Sequence, residues 1–357
     1  MGAGVRGAAD AGATVPDGPG GLLVVGDVVT DIVARHRTPL APGTDTAAAI
    51  RTVPGGAGAN VACWAAHWGH ADVRFLGRVG ADAAQWHRDS LLRSAVRPHL
   101  VVDPDAPTGT VISLVDAGGH VETAGGDTDG HEDGIEHPSG TGRDGGGACA
   151  AERTFLTDSG ASLRLAAADW TPSLLDGVTW LHLSGYLFFA ASSRAAARAA
   201  LEAARSRGVT VSVDPASAGF LVRHGVDRFL AQARDVDVLL PSRDEAELLT
   251  GLPRAADAAA ALSRRFPDVV VTLGSEGALA ARGGQVRVRV PGVRARARDS
   301  TGAGDAFSGA FIAARLAGAG VREAVAEGCR AGARAVERVG ARPGLGAGIR
   351  GGGEGGG

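Results

Sequence analysis

The chain contains no lysine: all 36 of its Lys and Arg residues are arginine. That absence excludes Schiff-base chemistry, a pyridoxal-phosphate lysine and the GxxxxGK[ST] phosphate loop, each of which needs an ε-amino group. Cysteine is almost as scarce. Cys63, Cys149 and Cys329 are odd in number, far apart and never spaced as CxxC, which argues against a disulfide framework and a zinc module and fits a reducing cytoplasm. No stretch approaches the roughly 18 uninterrupted apolar residues of a membrane span. Residues 1–20 lack the apolar centre of a secretory signal and read as a flexible leader. Charge of neither sign predominates. With a formal net charge of -3, no global field would hold the chain on nucleic acid or an anionic membrane. The expected partner is a small molecule.

What the chain does have is core-forming material: 45% of its 357 residues are hydrophobic, which suits one large α/β domain. Glycine and polar residues fill the leader, a stretch at about 118–151 and the tail 344–357, where too little surface can be buried to offset chain entropy. The middle stretch reads as a solvated insertion between two strands. Its His120, His131, His137 and Cys149 show no spacing that would fix a metal. The folded domain is therefore expected over 21–343. There LLVVG (22–26), VRFLG (73–77), WLHLSG (180–185), VTVSVD (209–214), VDVLLP (236–241) and VVVTLG (269–274) read as strands. Alanine-rich helical stretches alternate with them at 57–67, 193–206, 244–250, 256–265, 304–316 and 322–336. This alternation predicts βα units around a largely parallel sheet. The stretches at about 33–53 and 108–121, with 153–158 as a continuation, look like strands of a small sheet flap. Ligands of open α/β sheets bind at the carboxyl ends of the strands, so the loops there are where chemistry is sought.

The segment DSTGAGDAFSGAF, Asp299 to Phe311, feeds a glycine-rich turn into an apolar helix. The first N–H groups of a helix lack intrahelical partners and its dipole favours negative charge there, so small residues at Gly302, Ala303 and Gly304 make an anion cradle. Asp305 follows in the first turn, placed to accept a proton from an attacking hydroxyl. A second glycine-rich element, PGGAGANVA (54–62), fits GxGxxG in no register, and DVVTD follows the first strand where a dinucleotide fold would carry its glycines.

PGGAGANVA and DSTGAGDAF, in that order along the chain, resemble the two signatures of the PfkB, or ribokinase-like, carbohydrate kinases, and the resemblance runs from about Leu22 to Arg342. It implies a three-layer α/β/α domain with a small β-sheet lid. It also implies transfer of the γ-phosphate of ATP, with Mg2+, to a hydroxyl of a sugar, sugar derivative or nucleoside. Asp305 would be the base and Gly302, Ala303 and Gly304 the anion hole. Asp31, Gly55, Gly56 and Asn60 match the acceptor-binding positions, and Asp299 and Thr301 those that hold a monovalent cation such as K+. TLGSEGA (272–278) resembles the ATP loop, giving Thr272 and Gly274 to the nucleotide. LLPSRDEAELLTG (239–251) resembles the NxxE element, in which Glu245 acts on hydrated Mg2+. Ser242 stands there in place of the usual asparagine, and Cys329 falls beside the nucleotide where an asparagine is common in the ribokinase branch. Lids of such kinases often pair in a homodimer. The contrasting expectation is a regulatory member of the same fold that binds nucleotide or sugar without turnover.

Overall fold

The computed structural model describes residues 20–116 and 153–344. Residues 1–19 of the leader, the whole insertion at about 118–151 with the end of the strand expected at 108–121, and the tail beyond 344 lie outside them. In chain order the elements are β1 (Gly21–Val25), β2 (Val29–His36), β3 (Ala48–Gly55), α1 (Ala57–His67), β4 (Val73–Gly80), α2 (Ala84–Arg93), β5 (Val96–Asp103), β6 (Thr108–Asp116) and β7 (Arg153–Gly160). Next come β8 (Val178–Ser184), α3 (Ala191–Ser206), β9 (Thr210–Asp214), α4 (Ala218–His224), α5 (Val226–Gln232), β10 (Val238–Leu239), α6 (Arg243–Thr250) and α7 (Ala255–Leu262). The described chain closes with β11 (Asp268–Thr272), β12 (Ala278–Arg282), β13 (Gln285–Val290), α8 (Ala303–Leu316) and α9 (Val321–Val336).

Nine strands form one sheet in the order β13-β12-β11-β10-β9-β8-β1-β4-β5. Pairing is parallel from β5 through to β11, and only the β11-β12-β13 edge is antiparallel. All five residues of β1 are buried, as a parallel strand covered on both faces requires. Its side chains divide the core: Leu23 and Val25 pack with Ala197 and Leu201 of α3, while Leu22 and Val24 pack with Val61 of α1 and Phe311 of α8. The sheet thus has a helical layer on each side. Four strands form a second, small sheet in the order β3-β2-β6-β7. Its β2 leaves the main sheet directly after β1, and its β3 returns directly into α1, so the small sheet stands over the carboxyl end of β1. Among the described residues no helix is long and apolar enough to cross a membrane.

The stretch read as extended over 33–53 is a hairpin, interrupted between His36 and Ala48 by a loop that carries Pro39 and Pro42. Proline has no N–H for the ladder, so strand pairing cannot run through it. VDVLLP contributes only Val238 and Leu239, because the chain turns at Pro241 toward α6. Six elements of the main domain, α2, β5, α4, α5, β12 and β13, escape the sequence reading: β12 is ALAAR, an alanine run with helical propensity that pairing with β11 and β13 holds extended.

Candidate active site

The site is built where β1, α1 and α8 meet. Gly26 follows β1, and a Cβ there would lie 2.8 Å from Ser184 Cβ and 2.9 Å from Gly58 Cα, so two facing glycines let the strand end touch the start of α1. Asp27 comes next. Its buried carboxylate accepts from Ala57 N at 2.7 Å, Gly58 N at 3.2 Å and Ser184 Oγ at 2.8 Å, capping α1 with a residue from another element. Burial pushes the Asp27 carboxyl above its ordinary range against those three donors. Gly56 joins β3 to α1 at φ 97°, a conformation costly for any side chain, and Gly55 leaves space for Asp31, whose carboxylate would lie within 2.4 Å of a Cβ. Asp31 on β2 is pushed up to about 7 by burial, which the charge of Arg342 opposes.

The opposite wall is the start of α8. Asp299 accepts from Thr301 N at 2.8 Å and from Gly340 N at 2.9 Å, which folds the DSTG turn against the chain beyond α9. Gly302 adopts the left-handed conformation, φ 75°, and α8 begins at Ala303. Gly304 is exposed, and a Cβ there would meet nothing within 4 Å. Gly304 and Asp305 stand in the first turn of α8, where helix amides lack intrahelical partners and the dipole favours negative charge, so the helix start can receive an anion. Asn60 Nδ2 donates to Asp305 Oδ2 at 2.8 Å. Burial pushes the Asp305 carboxyl well above its usual range; the Asn60 bond opposes this, and the charges of Asp214, Asp27 and Asp31 add to it. Helices α1 and α8 can bring these two residues together because Gly309 lies against α1, where a Cβ would be 2.6 Å from Val61 O.

A cleft of about 710 Å³ opens above these groups. Asp27, Asp31, Gly56, Asn60, Thr301 and Asp305 line its floor. Val33, Val111, Phe155 and Thr157 face it from the small sheet, and Tyr186, Phe220 and Arg223 from the side. Arg223 is the one cation among the lining residues, held over the Phe220 ring at 4.4 Å.

A second group gathers at the carboxyl ends of β10 and β11. Ser242 bridges to Thr272, Gly274 opens the following turn at φ 61°, and Arg243 donates to Glu276 at 2.6 Å. Ser242 and Glu245 form a reciprocal cap on α6: Ser242 Oγ accepts from Glu245 N at 3.4 Å, and Glu245 Oε2 accepts from Ser242 N at 2.8 Å. Glu245 is half-buried, and its carboxyl is pushed up to about 6 by burial, with Asp214 and Asp244 adding to the rise. The charge of Asp214 thus acts on both Glu245 and Asp305. Cys329 stands apart: 8% exposed, it packs with Phe307 and Val325 in the core, and burial pushes its thiol up to about 11.

The model of the pfkB family carbohydrate kinases matches residues 21–132 and 146–346. The chain belongs to that family. A fructokinase of Klebsiella pneumoniae is 31% identical over 304 residues, 82% of this chain and 84% of its own length. An adenosine kinase structure from Sinorhizobium meliloti superposes with a TM-score of 0.75 at 21% identity, over 91% of this chain and 96% of that one. A putative ribokinase II of E. coli in complex with ATP and Mg2+ gives a TM-score of 0.72 at 22% identity, over 90% of this chain and 94% of that one. The fold is thus the ribokinase-like α/β fold, and the carbohydrate-kinase signatures read from the sequence fall on the two helix starts that meet at the cleft.

The structure brings Asp31, Gly55, Gly56, Asn60, Asp299, Thr301, Gly302, Ala303, Gly304 and Asp305 into one neighbourhood, and Thr272, Gly274, Ser242 and Glu245 into the adjoining one. Three residues of the site were not singled out in the sequence: Asp27, Asp214 and Arg342. Asp27 had a legible signal, being a carboxylate directly after the first strand of an α/β fold. Asp214 ends β9 in the same way. Arg342 had none, since it lies beyond the last helix and outside both signatures.

Proposed function

We propose that this protein is an ATP- and Mg2+-dependent kinase that phosphorylates a hydroxyl of a sugar, a sugar derivative or a nucleoside. The observation that carries the reading is Asp305 in the first turn of α8, its carboxylate held by Asn60 at 2.8 Å and facing the cleft beside the open helix start. In the reaction the acceptor hydroxyl gives its proton to Asp305 as its oxygen bonds to the γ-phosphorus, and the bond from that phosphorus to the bridging oxygen of ADP breaks. Amide groups of the Gly302-Ala303-Gly304 turn face the charge that develops on the transferred group, a contribution of about a hundredfold to a thousandfold per donor. Asp31 and Asn60 receive the acceptor's other hydroxyls, since a carboxylate accepts and an amide does both.

Thr272, Gly274 and Ser242 are the residues for the nucleotide, with Cys329 supplying packing behind α8 rather than a polar contact. Glu245, on which the charge of Asp214 acts, is the group for Mg2+ through water: a carboxylate raised by burial and by neighbouring acids is one that a divalent cation relieves. Bound Mg2+ would neutralise phosphate charge. Asp299 and Thr301 are the residues for a monovalent cation. The small sheet serves as a lid that closes over the acceptor and excludes water, and the named relatives support sugars and nucleosides as the acceptors to try first.

The test is ATP consumption by the purified protein across sugars, sugar phosphates, keto-sugar acids and nucleosides, with Mg2+ and with or without K+. Turnover with one acceptor, lost at least about a thousandfold in a folded Asp305→Asn variant that still binds ATP, is the expected result. Near-normal turnover in that variant rejects the base. Silence across the panel with ATP bound points to the non-catalytic, regulatory reading.

A further inference from the structure

Arg342 reaches the site from the segment after α9, and no part of the reaction just described uses it. Its guanidinium donates three ways: Nε to Asn60 Oδ1 at 3.3 Å, Nη1 to Ser90 Oγ at 2.8 Å and Nη2 to Gly55 O at 2.9 Å. These contacts fall on α1, on α2 and on the end of β3, the three elements that frame the acceptor side. We propose that Arg342 is a positioning residue that fixes the orientation of the Asn60 amide, so that Asn60 always presents its N–H to the catalytic carboxylate of Asp305.

The argument is one of donors and acceptors. An amide has two faces that differ in hydrogen-bonding sense, and turning it over about its last bond exchanges them. A guanidinium only donates, and an ionised carboxylate only accepts. With Arg342 on one side and Asp305 on the other, one orientation makes two charge-assisted bonds and the other makes none while setting like partial charges face to face. Without Arg342, only the Asp305 bond selects the orientation. That bond is also what opposes the rise of the Asp305 carboxyl caused by burial and by the charges of Asp214, Asp27 and Asp31. A base that loses its one side-chain donor holds its proton more tightly and is less often ready to take another. The contact to Gly55 O serves the same end, because Gly55 and Gly56 set where α1 begins and hence where Asn60 stands.

This inference rests on Asp305 being the base, and a double-mutant cycle separates the two. Arg342→Met is expected to lower kcat by roughly 10- to 100-fold, the effect of a lost hydrogen bond to a charged group, with the KM for ATP changed less than about twofold. The acid limb of its kcat profile should move to higher pH, because Asp305 loses the support of the Asn60 bond and Asp31 loses the Arg342 charge that opposes its rise; only the first part should vanish in an Asn60→Ala background. Arg342→Lys should recover part of the kcat, since an ammonium still donates but without the planar fork. In an Asn60→Ala background, Arg342→Met should cost less than about threefold more, because the group through which it acts is gone. Melting curves of all variants identify any that do not fold; if Arg342→Met is one, Arg342→Lys takes its place in the cycle. Equal losses with and without Asn60, in a protein that Asp305→Asn inactivates, overturn the role of Arg342 alone. Full turnover by Asp305→Asn overturns both.

Discussion

Asp305 sits among groups that oppose its ionisation, and so does Asp31, pushed up to about 7. In the proposed reaction both are ionised to accept from hydroxyls, and carboxylates whose charges act on one another titrate as a set with macroscopic constants. kcat/KM is therefore expected to rise from pH 5 to pH 8 with an acid limb near pH 7, and Asp31→Asn should reshape that limb while raising the KM of the acceptor. The same shift has a stability consequence of definite sign. A carboxyl raised in the folded state contributes fully below its unfolded value, near 4, and that contribution is lost as pH rises through about 7. For Asp31 the loss is on the order of 4 kcal/mol at most. Denaturant titrations of the ligand-free protein at pH 5 and pH 8 should show Asp31→Asn gaining stability relative to the parent at the higher pH; an equal difference at both values would reject the shift. At this scale the sequence showed the groups that belong to a local pattern, Asp305 in GAGD and Asn60 in GGAGAN. It did not show Arg342, whose role arises only when the chain end folds back across α1 and α2.

Between elements the decisive contact is the crossing of α1 and α8, because each carries one half of the Asn60–Asp305 pair. The helices approach closely where Gly309 faces α1: a Cβ would lie 2.6 Å from Val61 O, 2.8 Å from Trp64 Cβ and 2.9 Å from Ala65 N. These are mostly backbone neighbours, which cannot step aside as a side-chain tip can. Gly309→Val is expected to cost about 1–3 kcal/mol of stability by overpacking, and to lower kcat in the molecules that do fold by separating the pair. Circular-dichroism melts with kcat measured well below the midpoint test both parts, and unchanged kcat in a destabilised variant would mean that the pair is set elsewhere. Helix positions were legible because alanine-rich periodicity persists over many residues: α1 is expected and found at 57–67, and α9 is found within one residue of its expected start. The two antiparallel strands at one end of the main sheet were not. β13 alternates exposed and half-buried residues and β12 is largely alanine, so neither carries the β-branched apolar run that marks an interior strand.

Over the whole molecule, the small sheet is tied to the cleft at its base and pairs with itself elsewhere. β2 pairs parallel with β6, and β6 pairs antiparallel with β7, with Val115 opposite Arg153 and Thr108 opposite Gly160. The last paired residues of β6 and β7 thus face one another directly, at the end of the ladder far from the floor, where Asp31 pairs with Val53 and with Val111. Facing antiparallel ends are what a two-residue hairpin turn joins. The lid surface that lines the cleft, Val33, Val111, Ser113, Phe155 and Thr157, is already supplied by the strands themselves. Replacing residues 116–152 by Asn-Gly, which puts two residues between the paired Val115 and Arg153, is therefore expected to keep the register, to move the melting temperature by less than about 3 °C, and to leave the acceptor KM within about twofold. The family match bears on the same point, since residues 133–145 fall between its two matched stretches. A fall of more than about 10 °C would show that the replaced residues contribute packing to the folded molecule. A rise in acceptor KM at unchanged melting temperature would show instead that they contribute to the cleft, and would move the boundary of the lid outward from β6 and β7.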